Sequence, residues 1–377
     1  MTATAWREYR LFYHGDRDRA VLGFVAPVAA QLRRDGLLHR AFFVRYSLGG
    51  PHLRMRLEAG AHQSSEIDAA VRRRSEIFLR AEPSPDPLDP EQIRRTNRGI
   101  LASDGSGKGD GADQIFPNNS LMEADFEPEV ERYGGHDALP LAFDLFQASS
   151  LAAIDLLRRT AEAPKARRFA SCLRTLALQA LGMAGDGRKW LDLLAYPSAI
   201  NNSLPAQALQ DKADAAWGPQ RKGLETLLRA EIERVLGWAE GTDPTSAEEP
   251  CAGLLYRRAY RWGRRAPANG DPENDSQQRL RADASQMHMT ANRLGLRNSD
   301  EIFAARLLER TGRSLESSKP DLWNALDAVL QKHPRPLPNA VSAAGDDAGD
   351  LDHFLLSGRT PGAVEPAPEL TDRAPRP

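Results

Sequence analysis

The chain has 377 residues, 41% hydrophobic and 27% charged, which is ordinary globular usage with room for one large domain or two smaller ones. Fifty basic against 52 acidic residues leave a net charge of −2, excluding a global field that would draw the chain onto a nucleic-acid backbone. The two cysteines, Cys172 and Cys251, show neither Cys-x-x-Cys nor Cys/His spacing, so no disulfide framework or structural zinc is expected and both read as buried thiols.

Residues 6 to 13 (WREYRLFY) predict a first strand, and residues 17 to 34 place Val21, Phe24, Val25, Val28 and Leu32 at helical spacing. Pro27 should kink or divide that helix. Strands at 40 to 47 and 52 to 58 flank Leu48-Gly49-Gly50-Pro51, whose glycines tolerate positive φ, predicting a β-hairpin. In its second strand a period of two sends Leu53, Met55 and Leu57 to one face and His52, Arg54, Arg56 and Glu58 to the other. An amphipathic helix at 65 to 80 completes a β-α-β-β-α order, the mark of an α+β sandwich.

Residues 82 to 91, with four prolines, and the glycine-rich stretch at 103 to 111 read as irregular, and the latter lacks phosphate-loop spacing. Helical periodicity then covers 137 to 160, 165 to 184, 206 to 240, about 250 to 265, 274 to 294 and 299 to 312. The expected fold is therefore α+β, an N-terminal split β-α-β sandwich with an antiparallel hairpin followed by a mainly helical half. The parts divide as 1–136, 137–335 and a Pro/Ala/Asp-rich tail at 336–377 expected to be disordered. No apolar signal-like core opens the chain and no stretch approaches the roughly 18 apolar residues of a membrane span, so a cytoplasmic location is expected.

Three segments can carry chemistry. Arg54 and Arg56, two apart on one strand face beside His52, converge on one anionic group, although charged strand faces commonly do no more than pair with acidic neighbours. In FEPEVERYGG, Glu129 and Arg132 stand three apart before a Gly-Gly break, spacing that a helix-end ion pair also explains. In SQMHMTANRLG, His288 and Asn292 fall near one helical face, and histidine is the usual acid/base near neutral pH, though a lone helical histidine is more often structural. A fourth segment, Tyr256 to Arg265, mixes aromatics with cations and suits an acidic peptide or RNA, or is simply a basic helix face.

Taken in order, FFVRYSLGGPHLRMRL, FEPEVERYGG and MHMTANRLGL resemble the C-terminal, glutamate-eliminating domain of lantibiotic dehydratases and its stand-alone thiopeptide-biosynthesis relatives. The resemblance runs from residue 6 to about 312 and is weak between about 180 and 270. It implies a lyase that removes glutamate from glutamylated Ser or Thr of a ribosomally made precursor peptide, leaving dehydroalanine or dehydrobutyrine. Carried over residue by residue, it implies catalytic roles for His288, Arg54, Arg56, Glu129 and Arg132; His52, Arg45, Tyr133, Asn292 and Arg293, in the same segments, are expected to bind substrate.

The chemistry fits those types. β-Elimination needs acid, base and anion stabilisation: guanidiniums for the adduct carboxylate or developing charge, His288 for proton transfer, Glu129 to orient an arginine or receive the adduct's ammonium. Whether His288 takes the Cα proton or protonates the departing group stays open. No metal or organic cofactor is implied, since HExxH, clustered Cys/His and a post-strand GxGxxG are all missing. The implied partners are the glutamylated precursor, leader plus core, and a separate glutamyl-tRNA-dependent glutamylating subunit, as in a split dehydratase. No membrane or direct nucleic acid is expected, and a homodimer is allowed. Thiopeptide pyridine synthases, which join two dehydroalanines in a formal cycloaddition and expel the leader, share the fold and are the alternative. A non-catalytic precursor-binding subunit is the second alternative.

Overall fold

The computed structural model describes residues 4–332 except 86, 104–110, 201–205, 242–249 and 266–271. Most of the glycine-rich stretch and the whole expected tail lie outside the described residues.

Four antiparallel strands, β1 (Thr4–Phe12), β2 (Arg40–Tyr46), β3 (His52–Gly60) and β4 (Ser120–Ala124), form one sheet in the order β2-β3-β1-β4. The hairpin closes with Tyr46 opposite His52, and Gly49 and Gly50 take φ of +81° and +120° in its turn. Alternation sorts the two faces as the sequence predicts. Tyr9, Leu11, Phe43, Leu53, Met55 and Leu57 are fully buried with Val21, Phe24, Leu32, Ile67 and Val71 from the helices on that side. The opposite face brings Glu8 beside Arg56 and Arg10 beside Arg54.

Helix 17 to 34 is divided as Pro27 demands: α1 (Arg17–Ala20), a π-turn (Val21–Val25) and α2 (Ala26–Arg34), with Pro27 in the first turn of α2. Pro27 cannot donate to the Gly23 carbonyl four residues back, and that carbonyl accepts from Arg74 Nε (3.1 Å) of α3 (Ser64–Ala81). One element was not foreseen in the proline-rich stretch, α4 (Pro90–Ser103). Its signal is Asp89-Pro90-Glu91: Asp89 caps the Glu91 amide (3.2 Å), proline starts the helix and an acid sits in the first turn. Asn97 of this helix is fully buried and holds the hairpin turn through the Gly49 amide (2.9 Å).

The helical half comprises α5 (Leu139–Arg159), α6 (Lys165–Met183), α7 (Gly187–Ile200), α8 (Ala206–Ala239), α9 (Pro250–Gly263), α10 (Pro272–Arg293), α11 (Asn298–Ser318) and α12 (Pro320–Gln331). α7 and α12 were not foreseen. α5 is buried on nearly every side and lies against β2, α9 and α10, so one continuous core joins the sheet to the helices. Against expectation, α5 is long and apolar enough by composition to cross a membrane, but 83% of its apolar window is buried inside the protein, the pattern of a central core helix. Cys172 and Cys251 are buried free thiols, as expected.

In the Tyr256–Arg265 segment Tyr256, Arg258, Trp262 and Arg265 lie within the core, while Tyr260, Arg261 and Arg264 stay partly exposed, with Arg264 3.4 Å over the Tyr260 ring. Asp283 binds Trp262 Nε1 (2.7 Å) and Arg265 (2.8 Å), while Asp144 links Arg258 (3.2 Å) to Arg40 (2.9 Å) on β2. Buried cations are retained because each meets a carboxylate.

Candidate active site

The geometry starts from a strand edge. β2 ends the sheet, so the outward-facing groups of Ala41, Phe43 and Arg45 lack a strand partner. Helix side chains take their place: Gln147 and Ser150 of α5 accept the Ala41 and Phe43 amides (3.0 and 3.3 Å). From α10, Arg293 Nε donates to the Phe43 carbonyl (2.8 Å), and the Asn292 amide accepts from Arg45 N and donates to Arg45 O, both at 2.8 Å. Asn292 thus docks as an extra strand residue would, which fixes the register of α10 against the sheet. His288, one turn earlier on that helix, is thereby held over the Arg54/Arg56 face.

Between sheet, α10 and the 126–135 loop lies a cleft of about 570 Å³. Its walls include Tyr46, Arg54, Arg56, Phe126, Glu127, Glu129, Arg132, Tyr133, His288 and Arg293. All five expected catalytic residues therefore meet in one place, as do Arg45, Tyr133, Asn292 and Arg293.

Glu8, missed in the sequence, organises the floor. Its side chain is 2% exposed and binds Arg56 Nε (2.7 Å) and Arg10 Nε (2.6 Å), with Arg54 Nε at 4.0 Å. Burial would raise its pKa, but Arg56, Arg10 and Arg54 outweigh burial and hold the carboxyl below its usual range. One carboxylate thus serves three guanidiniums. Arg54 also lies 3.9 Å over the Tyr46 ring, Arg56 4.4 Å over Phe126, and burial with Arg10 nearby brings Arg54 down to about 10, still cationic near neutrality. A signal existed: Glu8 and Arg10 alternate on β1 with the period of Arg54 and Arg56.

Of the expected substrate-binding groups, His52 does not line the cleft, and Arg45 lines it but already has protein partners. His52 is buried, gives its Nδ1 proton to the Gly50 carbonyl (2.8 Å) and accepts Arg54 Nε on Nε2 (3.1 Å). Burial drives its pKa down to about 3, so it is a neutral prop that aims Arg54. The Arg45 guanidinium points to the other side of the sheet, where it binds Asp18 (2.6 Å) and the Arg293 carbonyl (3.1 Å). The Asn292 amide makes one hydrogen bond in each direction to Arg45 of β2, and both Arg45 and Asn292 also line the cleft.

At the rim, Arg132 Nη1 meets Glu129 (2.9 Å) with both side chains about half exposed, and Arg132 Nε reaches Ser285 Oγ of α10 (3.0 Å). Gly134 and Gly135, at φ +89° and +92°, turn the chain sharply behind this pair. Tyr133 is buried edge-on to Phe146 (5.1 Å), and burial lifts its hydroxyl to about 12.

His288 sits opposite. Its Nδ1 binds Glu301 of α11 at 2.7 Å, leaving Nε2 as the nitrogen available to the cleft. Burial, Arg132 and Arg293 oppose protonation, but Glu301 outweighs them and the pKa is raised. Sequence spacing did not reveal Glu301, because the Gly295 turn between α10 and α11 brings it back. Around the cleft, Arg10, Arg54, Arg56, Arg132 and Arg293 face Glu8, Glu127, Glu129 and Glu301, an excess of guanidiniums to which a protonated His288 would add. Such a site stabilises oxyanions and supplies protons.

Residues 6–311 match the family model described as lantibiotic biosynthesis dehydratase C-terminal. Among curated proteins none matches. Among solved structures, the pyridine synthase TbtD from thiomuracin biosynthesis superposes with a TM-score of 0.66 at 18% identity, covering 83% of this chain and 99% of that one. TsrL gives a TM-score of 0.56 at 17% identity, covering 87% and 98% respectively. The tRNA-dependent lantibiotic dehydratase MibB from Microbispora sp. 107891 gives 0.50 at 18% identity, with 83% of this chain matched to 28% of that one.

Proposed function

This chain belongs to the lantibiotic biosynthesis dehydratase C-terminal family, and from that premise we propose that it acts on a dehydroalanine-bearing, ribosomally made precursor peptide and closes two dehydroalanines into a pyridine. The observation that carries this reading is His288 paired through Nδ1 with Glu301 at 2.7 Å, a contact that favours its protonated form, within a cleft rich in guanidiniums. In the formal cycloaddition, one dehydroalanine alkene, its nitrogen and the preceding amide carbon, as its iminol, supply four ring atoms, and the second alkene supplies two. Aromatisation then expels water from the former amide oxygen and the leader as its carboxamide. Each departure needs a proton on oxygen or nitrogen, and iminol formation gathers charge on oxygen. His288 and the guanidiniums of Arg54, Arg56 and Arg132 suit those tasks. Fold overlap along nearly the whole of TbtD supports the reading.

Glutamate elimination is the second reading, favoured by the convergence of Arg54, Arg56, Glu129, Arg132 and His288 on one cleft. It also requires a base for the Cα proton. Glu301 raises the His288 pKa and so favours its proton-donating form, and the lining carboxylates Glu127 and Glu129 lie on the exposed rim. This constellation is better matched to protonating a departing group.

A leader-bearing bis-dehydroalanine peptide and a glutamylated peptide are each incubated with wild type and with His288→Ala, and masses are followed. Water loss with release of a leader carboxamide from the first peptide, suppressed in the variant, is expected. Glutamate release from the second peptide, with the first unchanged, would make elimination the function.

A further inference from the structure

We infer that Arg293 is the receptor for a substrate oxyanion at the inner wall of the cleft. The inference rests on the reading of that cleft as the substrate site, and it assigns the chemical class of group held there.

Arg293 is fully buried, yet only Nε is hydrogen-bonded, to the Phe43 carbonyl at 2.8 Å. Nη1 and Nη2 have no partner among the described residues although both are shut off from bulk water. Four N–H donors of a charged group are thus left unsatisfied. The surroundings compensate only in part: the guanidinium lies 4.8 Å from the Phe146 ring centre and 5.8 Å from Phe42, cation–π contacts that leave its N–H donors unmatched, while Arg56 and a protonated His288 oppose its charge. Tyr133 is the one polar neighbour of opposite tendency, and its hydroxyl stays neutral at ordinary pH.

Burial brings Arg293 down to about 9, so it remains cationic near neutrality. Other buried arginines here meet acids: Arg45 with Asp18, Arg258 with Asp144, Arg265 with Asp283. Arg293 alone among these four lines the cleft with its terminal nitrogens unmatched. Uncompensated buried charge is destabilising, and it persists where a ligand completes it. A planar fork with two open nitrogens fits a carboxylate, or the oxygen of an amide becoming an iminolate. Both are oxyanions that the substrate brings. Nε anchored on the strand edge aims the fork, which a lysine cannot reproduce.

The test uses the full chain with sodium acetate and sodium L-glutamate as probes, replacing chloride at constant ionic strength. Calorimetry gives affinity, and the Arg293 side-chain 15N signals, assigned with Arg293→Lys, report the contact. Saturable binding with movement of those signals is expected, weakened roughly 10- to 100-fold in Arg293→Gln and Arg293→Lys, the loss expected for a charge-assisted bond. Arg188→Gln, at an exposed residue outside the cleft lining, is expected to bind as wild type. Glutamate binding well above acetate would identify a glutamyl carboxylate as the source, and equal binding a simple oxyanion such as an iminolate. The inference is overturned if wild type shows no saturable binding, if its Arg293 signals stay still, or if folded Arg293→Lys binds unchanged. None of these readouts uses turnover, so a negative ring-closure assay leaves the result standing.

Discussion

Glu301→Gln tests the central electrostatic claim, that His288 is held as an acid. Glutamine keeps an oxygen to accept from Nδ1 and removes only the charge. At the 2.7 Å contact of imidazolium and carboxylate, charge centres about 4 Å apart attract by about 4 kcal/mol at an effective dielectric of 20. The imidazole is 34% exposed, which discounts that ceiling to the order of 1–3 kcal/mol, about one to two pKa units. Burial, Arg132 and Arg293 all oppose protonation and remain in the variant. The His288 midpoint therefore falls below its ordinary value. Because the acid form is needed, the alkaline limb of the rate profile moves to lower pH by the same one to two units, and the rate on that limb drops roughly tenfold per unit. The stability contribution has the matching sign: a raised histidine pKa stabilises fully below the unfolded value and loses that contribution as pH rises through the folded one. In Glu301→Gln this alkaline loss should vanish. NMR titration of labelled histidines, with His288→Gln to assign the signal among the eight, measures the midpoint directly. An unchanged midpoint, or a shift to higher pH, would refute the reasoning.

Glu8→Gln should cost about 3 kcal/mol in urea unfolding, because Arg10, Arg54 and Arg56 lose their shared buried carboxylate; a change under 1 kcal/mol would show the guanidiniums to be adequately solvated. Asn292→Leu leaves two strand-edge groups of Arg45 unmatched and should destabilise by about 2–4 kcal/mol. Its hydrogen-exchange protection should fall first at β2 and the end of α10, and uniform loss across the chain would count against the docking role. Gly263→Ala would set a Cβ 2.2 Å from the Met183 carbonyl oxygen, so helices α6 and α9 must separate at a cost of about 1–3 kcal/mol; an unchanged melting temperature would exclude that close approach.

Elimination by separated motifs was the first functional expectation, and the site in three dimensions moved the weight. The motifs do converge, but the proton inventory of the cleft follows from Glu8 and Glu301, neither of which belonged to a motif. His52, Arg45 and Asn292 stand within the motifs yet each also bonds to the backbone or to a neighbouring side chain. Arg45 and Asn292 lie 247 residues apart, and no local pattern encodes such a pairing.

By itself the sequence determined the hairpin, the two faces of β3, the division of the first helix at Pro27 and most of the helical half. Those features follow from side-chain periods of 2 and 3.6 and from the fixed φ and missing N–H of proline, which act within a few residues. Only the tertiary structure decided which face becomes a cleft, which cation is paired and which is left open. Periodicity states that a face is polar or apolar but not what covers it. Within the run of Tyr, Arg and Trp at 256 to 265, Arg258, Trp262 and Arg265 are interior because Asp144 and Asp283 come from other helices to meet them. Arg293, ordinary in sequence, stands out for the opposite reason: no acid among the described residues meets its terminal nitrogens.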